Sequence, residues 1–228
     1  MVLSMVGLLD CLVSAKDVDV SSLYDQGLID SLVSVFADIA STQNEENDAS
    51  VAILLPLLDS LNNTLKFVSR EVRKALQAKT EPGPENEAQT LLAEKLLVES
   101  KPLVDMTGVL INYLCHEDPD VRDSACRCLY LMVELFGGIY EDSLSTENME
   151  CFAEALSTAD IKKQKQLLRI IKRLISSRFP HGGVDENGWQ GFIDVLRGLV
   201  NTKNSTSAEQ TAVQGLVQEI LVKLGLTK

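Results

Sequence analysis

The chain has 228 residues, 45% of them hydrophobic and 24% charged, with a formal net charge of −12. That length can bury one sizeable core or a series of packed units, and the composition excludes an intrinsically disordered chain. The negative balance disfavours general binding to nucleic acid or to an anionic membrane. Aromatic residues make up only 5%, with a single Trp. The apolar content therefore rests on Leu, Ile, Val and Ala, which suits helix-on-helix packing.

Taken in chain order, residues 1–16, MVLSMVGLLDCLVSAK, are apolar but lack a basic lead-in, and Asp10 interrupts them. They read as a first packed helix rather than a signal peptide. Residues 27–40, GLIDSLVSVFADIA, are helical in period, and 41–50, STQNEENDAS, form an acidic, amide-rich surface loop. Residues 51–77 then supply the partner helix. Nowhere does the chain reach the ~18 uninterrupted apolar residues of a membrane span. Pro82, Gly83 and Pro84 stop a helix, so 79–90 read as a second surface loop.

Three longer segments follow, starting at Val109, Cys151 and Gly191. Each has an apolar helix, a short polar turn and a second amphipathic helix. The spacing is about 40 residues, within the range of helical-repeat arrays. One such pair cannot bury its apolar faces alone, whereas stacked neighbours share a continuous core. The expected organisation is one helical-repeat domain over 1–228.

Within EDPDVRDSACRCLYLMVELF (117–136), Pro119, Asp120, Val121, Arg122, Ala125 and Leu129 resemble the second-helix pattern of armadillo/HEAT repeats. GLIDSLVSVF resembles the opening helix of an armadillo unit. The resemblance implies an all-α, right-handed superhelix of about four to five units, capped by the first helix and the last unit. It also implies that Arg122 pairs with Glu117 or Asp118. In the following unit Lys162 and Lys163 stand at the Val-Arg position, so that pairing is expected to be absent there.

The five cysteines are Cys11, Cys115, Cys126, Cys128 and Cys151. Their odd number and irregular spacing suggest free thiols in a reducing, cytoplasmic setting. At ~100° per residue Cys126 and Cys128 point to different sides of one helix, which argues against zinc. Cys128 falls on the buried face and Cys126 on its flank, where Arg122 and Arg127 are the nearest groups able to activate it. The glycosylation matches at Asn62 and Asn204 are read as chance. His116 and His181 are the only histidines, both in turns, and no phosphate loop, nucleophile elbow or zinc-protease motif occurs. No catalytic residue, metal or cofactor is assigned.

One patch departs from the acidic background. On a helical wheel of 159–178, Lys162, Lys165, Arg169, Lys172 and Arg173 fall within a ~100° stripe opposite the apolar residues. Three readings stand: a solvated face balanced by acids on neighbouring repeats, a dock for an acidic or phosphorylated protein segment, or a lipid or nucleic-acid contact. In an armadillo-like array this stripe would join the exposed sides of 119–136 and 207–224. Tyr130 would lie there either as an aromatic anchor or in edge packing, and Trp189 is read as a packing residue. The resemblance implies a non-catalytic interaction scaffold or adaptor. The alternative is a regulatory or chaperone-cofactor module that clamps a partner enzyme, as part of a larger kinase-like or cytoskeletal protein.

Overall fold

The computed structural model describes residues 20–42, 49–78, 84–178, 186–201 and 207–226. The expected first helix, Cys11, His181 and Asn204 lie outside them, as do most of the loop placed at 41–50. Among the described residues ten α-helices run in order: α1 Val20–Asp25, α2 Leu28–Thr42, α3 Ala49–Ala78, α4 Pro84–Glu99, α5 Thr107–Asn112, α6 Pro119–Phe136, α7 Thr146–Thr158, α8 Ile161–Arg178, α9 Gln190–Asn201 and α10 Ala208–Lys223. Short 3-10 turns, Lys101–Met106 and Tyr113–Cys115, extend α5 at both ends. Among the described residues there is no strand.

The helices fall into two rows. The closing helices α3, α6, α8 and α10 pack side by side in that order, forming a second row. In the first row, α2 packs on the 3-10 turn before α5, α5 packs on α7, and α7 on α9. The pairs α5–α6, α7–α8 and α9–α10 then join row to row. This is the stacked helical-repeat architecture expected from the periodicity. The extra helix α4 lies along α3 at one end of the second row.

Local chemistry sets the helix ends. The Asp118 carboxylate accepts from the backbone N–H groups of Asp120 at 2.8 Å and Val121 at 3.1 Å, and Pro119 needs no donor partner at the first helical position. Ser145 and Ser207 cap α7 and α10 through the N–H groups of Asn148 and Gln210. Gly137 ends α6 with φ +66°, a conformation that favours glycine. At the next position a Cβ on Gly138 would sit 2.8 Å from the Ser177 Cβ, so the glycine lets α6 and α8 approach.

Burial binds the rows into one cluster. Leu54, Leu57, Leu58, Leu61, Leu65 and Val68 form a fully buried line along α3. Each contributes about 1.5–3 kcal/mol as an upper estimate. Among the described residues, the stretch Val51–Ala78 is long and apolar enough to cross a membrane by length and composition. Here α3 is a core helix, packed between α4 and α6.

Two expectations need correction. Residues 84–90, read as loop, are the first turns of α4. Pro84 breaks a helix from within but is well placed to begin one, and Glu85 and Glu87 complement the positive end of the helix dipole. Arg122 does not pair with either expected carboxylate. Its Nη1 donates to the backbone carbonyls of His116 at 2.7 Å and Glu117 at 2.8 Å, because Asp118 is already used as the cap. The guanidinium therefore ties down the inter-helix turn itself.

Candidate partner-binding surface

The second row decides the charge pattern. Helix α8 carries seven Lys and Arg and no acid, and α3 carries four bases against two acids. The first-row helices α2, α5, α7 and α9 together hold one base, Arg197, and six acids. The array is thus polarised, with a basic second row in an acidic chain.

The stripe expected on α8 is present. Leu168, Ile171, Leu174 and Ile175 are fully or almost fully buried, while Lys162, Arg169 and Arg173 are exposed and Lys165 and Lys172 are half-buried. A groove of about 440 Å³ runs between α6, α8 and α10. It brings Arg169, Lys172 and Arg173 together with Tyr130, Glu134 and Leu216. The half-buried Tyr130 ring lines this groove, and its hydroxyl makes no hydrogen bond among the described residues. Lys162 and Lys165, one to two turns earlier on α8, do not line it.

Part of the stripe is spent inside the protein. Lys172 pairs with Glu219 on α10, and Arg173 Nη2 donates to the Glu134 backbone oxygen at 2.9 Å. Lys163, beside the stripe, pairs with Asp123 at 2.7 Å. Among the described residues Lys162, Lys165 and Arg169 form no ion pair. The face is therefore both self-balanced and open, in different residues.

A second basic cleft lies between α3 and α6, with a volume of about 300 Å³, lined by Lys66, Arg70, Arg73, Lys74 and Leu131 among others. Residues 51–77 were expected only as a partner helix, with no basic face assigned to them. The signal was present: Lys66, Arg70, Arg73 and Gln77 recur at helical spacing on one face. Arg70 and Lys74 hold Glu71 at 2.9 and 3.0 Å, and Arg73 holds both Glu134 carboxylate oxygens at 3.0 and 3.1 Å. Glu134 therefore divides two basic clefts and is engaged from both. Burial pushes the Glu71 carboxyl up, but hydrogen bonds from Lys74, Gln89 and Arg70 outweigh it and leave the group below its ordinary value.

The cysteines and histidine add no chemistry to this surface. Cys128 is fully buried and its thiol donates to the Leu58 carbonyl at 3.2 Å. Cys126, expected on the flank, is also buried. Burial, with Asp123 beside it, pushes its thiol up to about 12 despite Lys163 and Arg127. His116 Nδ1 accepts from the Asp118 N–H at 3.1 Å, which makes it a fixed part of the turn. Trp189 is buried edge-on against Phe192, as a packing residue. Among the described residues no three His, Cys, Asp or Glu side chains gather to hold a metal ion.

Residues 107–136, which are α5, its turn and α6, match the HEAT repeat family model. A serine/threonine-protein kinase from mouse (Mus musculus), ULK4, is 41% identical over 180 residues. That match covers 76% of this chain and 14% of the mouse protein. The crystal structure of an engineered protein aligns with 98% of this chain and 90% of its own at 18% identity and a TM-score of 0.43.

Proposed function

We propose, on the premise that this is a HEAT-type helical-repeat chain, that it is a non-catalytic interaction scaffold that holds an acidic or phosphorylated partner segment on its second-row face. The observation that carries this reading is the segregation of charge: α8 has seven bases and no acid in a chain of net charge −12. A pre-formed surface pays little ordering cost on binding, and Arg and Lys rows bind carboxylate or phosphate through charge-assisted hydrogen bonds. Tyr130 supplies a partly buried ring of the kind that anchors interfaces. The reading places the protein in the cytoplasm, a setting in which the four described cysteines would remain the free thiols they are.

The test is fluorescence anisotropy with a labelled acidic peptide. Reversing Lys162, Lys165 and Arg169 to Glu removes charges that have no ion-pair partner among the described residues. It should weaken binding at least tenfold and leave helicity and melting temperature nearly unchanged. Undiminished binding by a folded triple variant sinks the proposal.

A second reading draws on the similarity to the mouse kinase: a regulatory module acting on a partner enzyme. It differs in requiring that an enzyme's rate respond. Titrating the chain into the remainder of that mouse protein should alter phosphoryl-transfer rate or show complex formation, and inertness in both assays removes it.

A further inference from the structure

The ion pairs between second-row helices fix how these helices are aligned along their axes. Asp59 meets Arg127 at 3.8 Å and Arg73 meets Glu134 at 3.0 Å, so α3 and α6 run parallel, and Lys66 shares the cleft between them with Leu131. Asp123 meets Lys163 at 2.7 Å and the Glu134 oxygen meets Arg173 at 2.9 Å, so α6 and α8 also run parallel, with residue 169 level with 130. Lys66, Tyr130–Leu131 and Arg169 therefore follow one another in a line across the three helices, through two adjoining clefts. Tyr130 opens toward the α8 cleft and Leu131 toward the α3 cleft.

The two cations on this line are among those left without an ion pair among the described residues. Neither Lys66 nor Arg169 forms an ion pair among the described residues, whereas Arg70, Arg73, Lys74, Lys172 and Arg173 are each engaged within the chain. The line thus reads cation, apolar ridge, cation.

We infer that the partner is an extended protein segment that crosses α6 at right angles to the helices, with one acidic residue for Lys66, another for Arg169, and an apolar residue between them on the Tyr130–Leu131 ridge. This inference rests on the interaction-scaffold reading above and specifies its ligand. The spacing follows from packing. Two helix-to-helix steps of ~8–10 Å each separate α3 from α8. An extended chain advances ~3.3 Å per residue, so about six residues span that distance. Residues i and i+6 also point to the same side of an extended strand, so both acids face the array together.

The experiment uses the full chain and fluorescein-labelled peptides of equal length and equal net charge. The acidic residues stand at i and i+6 about a central Leu, at i and i+3, or at i and i+12. Anisotropy at low and physiological salt gives the dissociation constants. Linking two contacts at the right span raises affinity well above that of either alone, so the i,i+6 peptide should bind at least tenfold more tightly than the others. Lys66→Glu and Arg169→Glu, with Lys66→Ala and Arg169→Ala as milder companions, should each erase the spacing preference while circular dichroism stays unchanged. Equal affinity for all spacings, or a preference that survives either substitution, overturns this inference and leaves the scaffold reading in place. If no acidic peptide binds, both fall. Tighter binding to phosphatidylserine vesicles than to any peptide also overturns it, in favour of a lipid surface.

Discussion

Replacing Val121 by Asp puts the stacked-pair packing under direct strain. Val121 is fully buried in the first turn of α6, at the seam with α5. Losing the buried side chain costs about 1.5–3 kcal/mol. A carboxyl group held there would have its pKa raised by ~3–5 units by desolvation. Each unit is worth about 1.4 kcal/mol, so the ionised form adds about 4–7 kcal/mol at alkaline pH. The helix N-terminus returns about 1 kcal/mol. The total is on the order of 5–9 kcal/mol, comparable with the whole stability of a domain at ~5–15 kcal/mol. The sign is definite. The folded pKa is raised above the unfolded ~3.9, so the charge penalty is absent below that value and grows as pH rises toward the folded pKa. Urea unfolding followed by far-UV circular dichroism at pH 5.5 and 8.5, both above the pI of about 4.6, should show Val121→Asp losing stability with rising pH. Val121→Asn should carry a flat cost. Equal losses for the two variants at both pH values, or losses below ~2 kcal/mol, would refute the assignment of Val121 to a dry seam between stacked helices.

Gly138→Ala forces a Cβ to within 2.8 Å of the Ser177 Cβ and 3.3 Å of the Leu174 carbonyl oxygen, so thermal unfolding should show a loss of about 1–3 kcal/mol. Glu71 has its carboxyl held below the ordinary range, so it contributes stability above the unfolded pKa of ~4.3 that is lost as pH falls through its folded value. Glu71→Gln should therefore cost on the order of 1 kcal/mol at pH 7 and progressively less on acidification, measured by denaturant titration across pH 3–7. Burial holds the thiols of Cys126 and Cys128 well above the usual range. At pH 7.5 iodoacetamide should modify neither until urea unfolds the chain, as read by peptide mass spectrometry, and rapid native labelling of Cys126 would show that α8 does not cover it.

The architecture was legible where local chemistry and periodicity coincide. The stretch from Asp118 to Leu129 contains its own cap, its own starting proline and a buried face at helical spacing, so α6 could be placed from sequence. The α8 stripe was equally readable, since a helical wheel needs nothing beyond the helix. Other features required the fold. The pairing of Lys172 with Glu219 and of Arg173 with the Glu134 carbonyl joins three helices and leaves no trace within any one of them. Arg122 went to carbonyls rather than to a carboxylate because capping had already claimed Asp118, a competition that spacing alone does not reveal. Cys126 changed from flank to core because α8 stacks over it. Proline at 84 was read as a stop when its position made it a start. The α3 cleft was missed for a different reason: 51–77 was expected only as a partner helix, although one of its faces is basic for the last three turns.

Hydrogen–deuterium exchange of the full chain, with and without the i,i+6 acidic peptide, tests most directly whether the second row is the binding face. Added protection is expected in the chain from 66 to 77, from 127 to 136 and from 165 to 176, with α7 and α9 unchanged. Protection confined to the first-row helices α7 and α9, or none at saturating peptide, would contradict it.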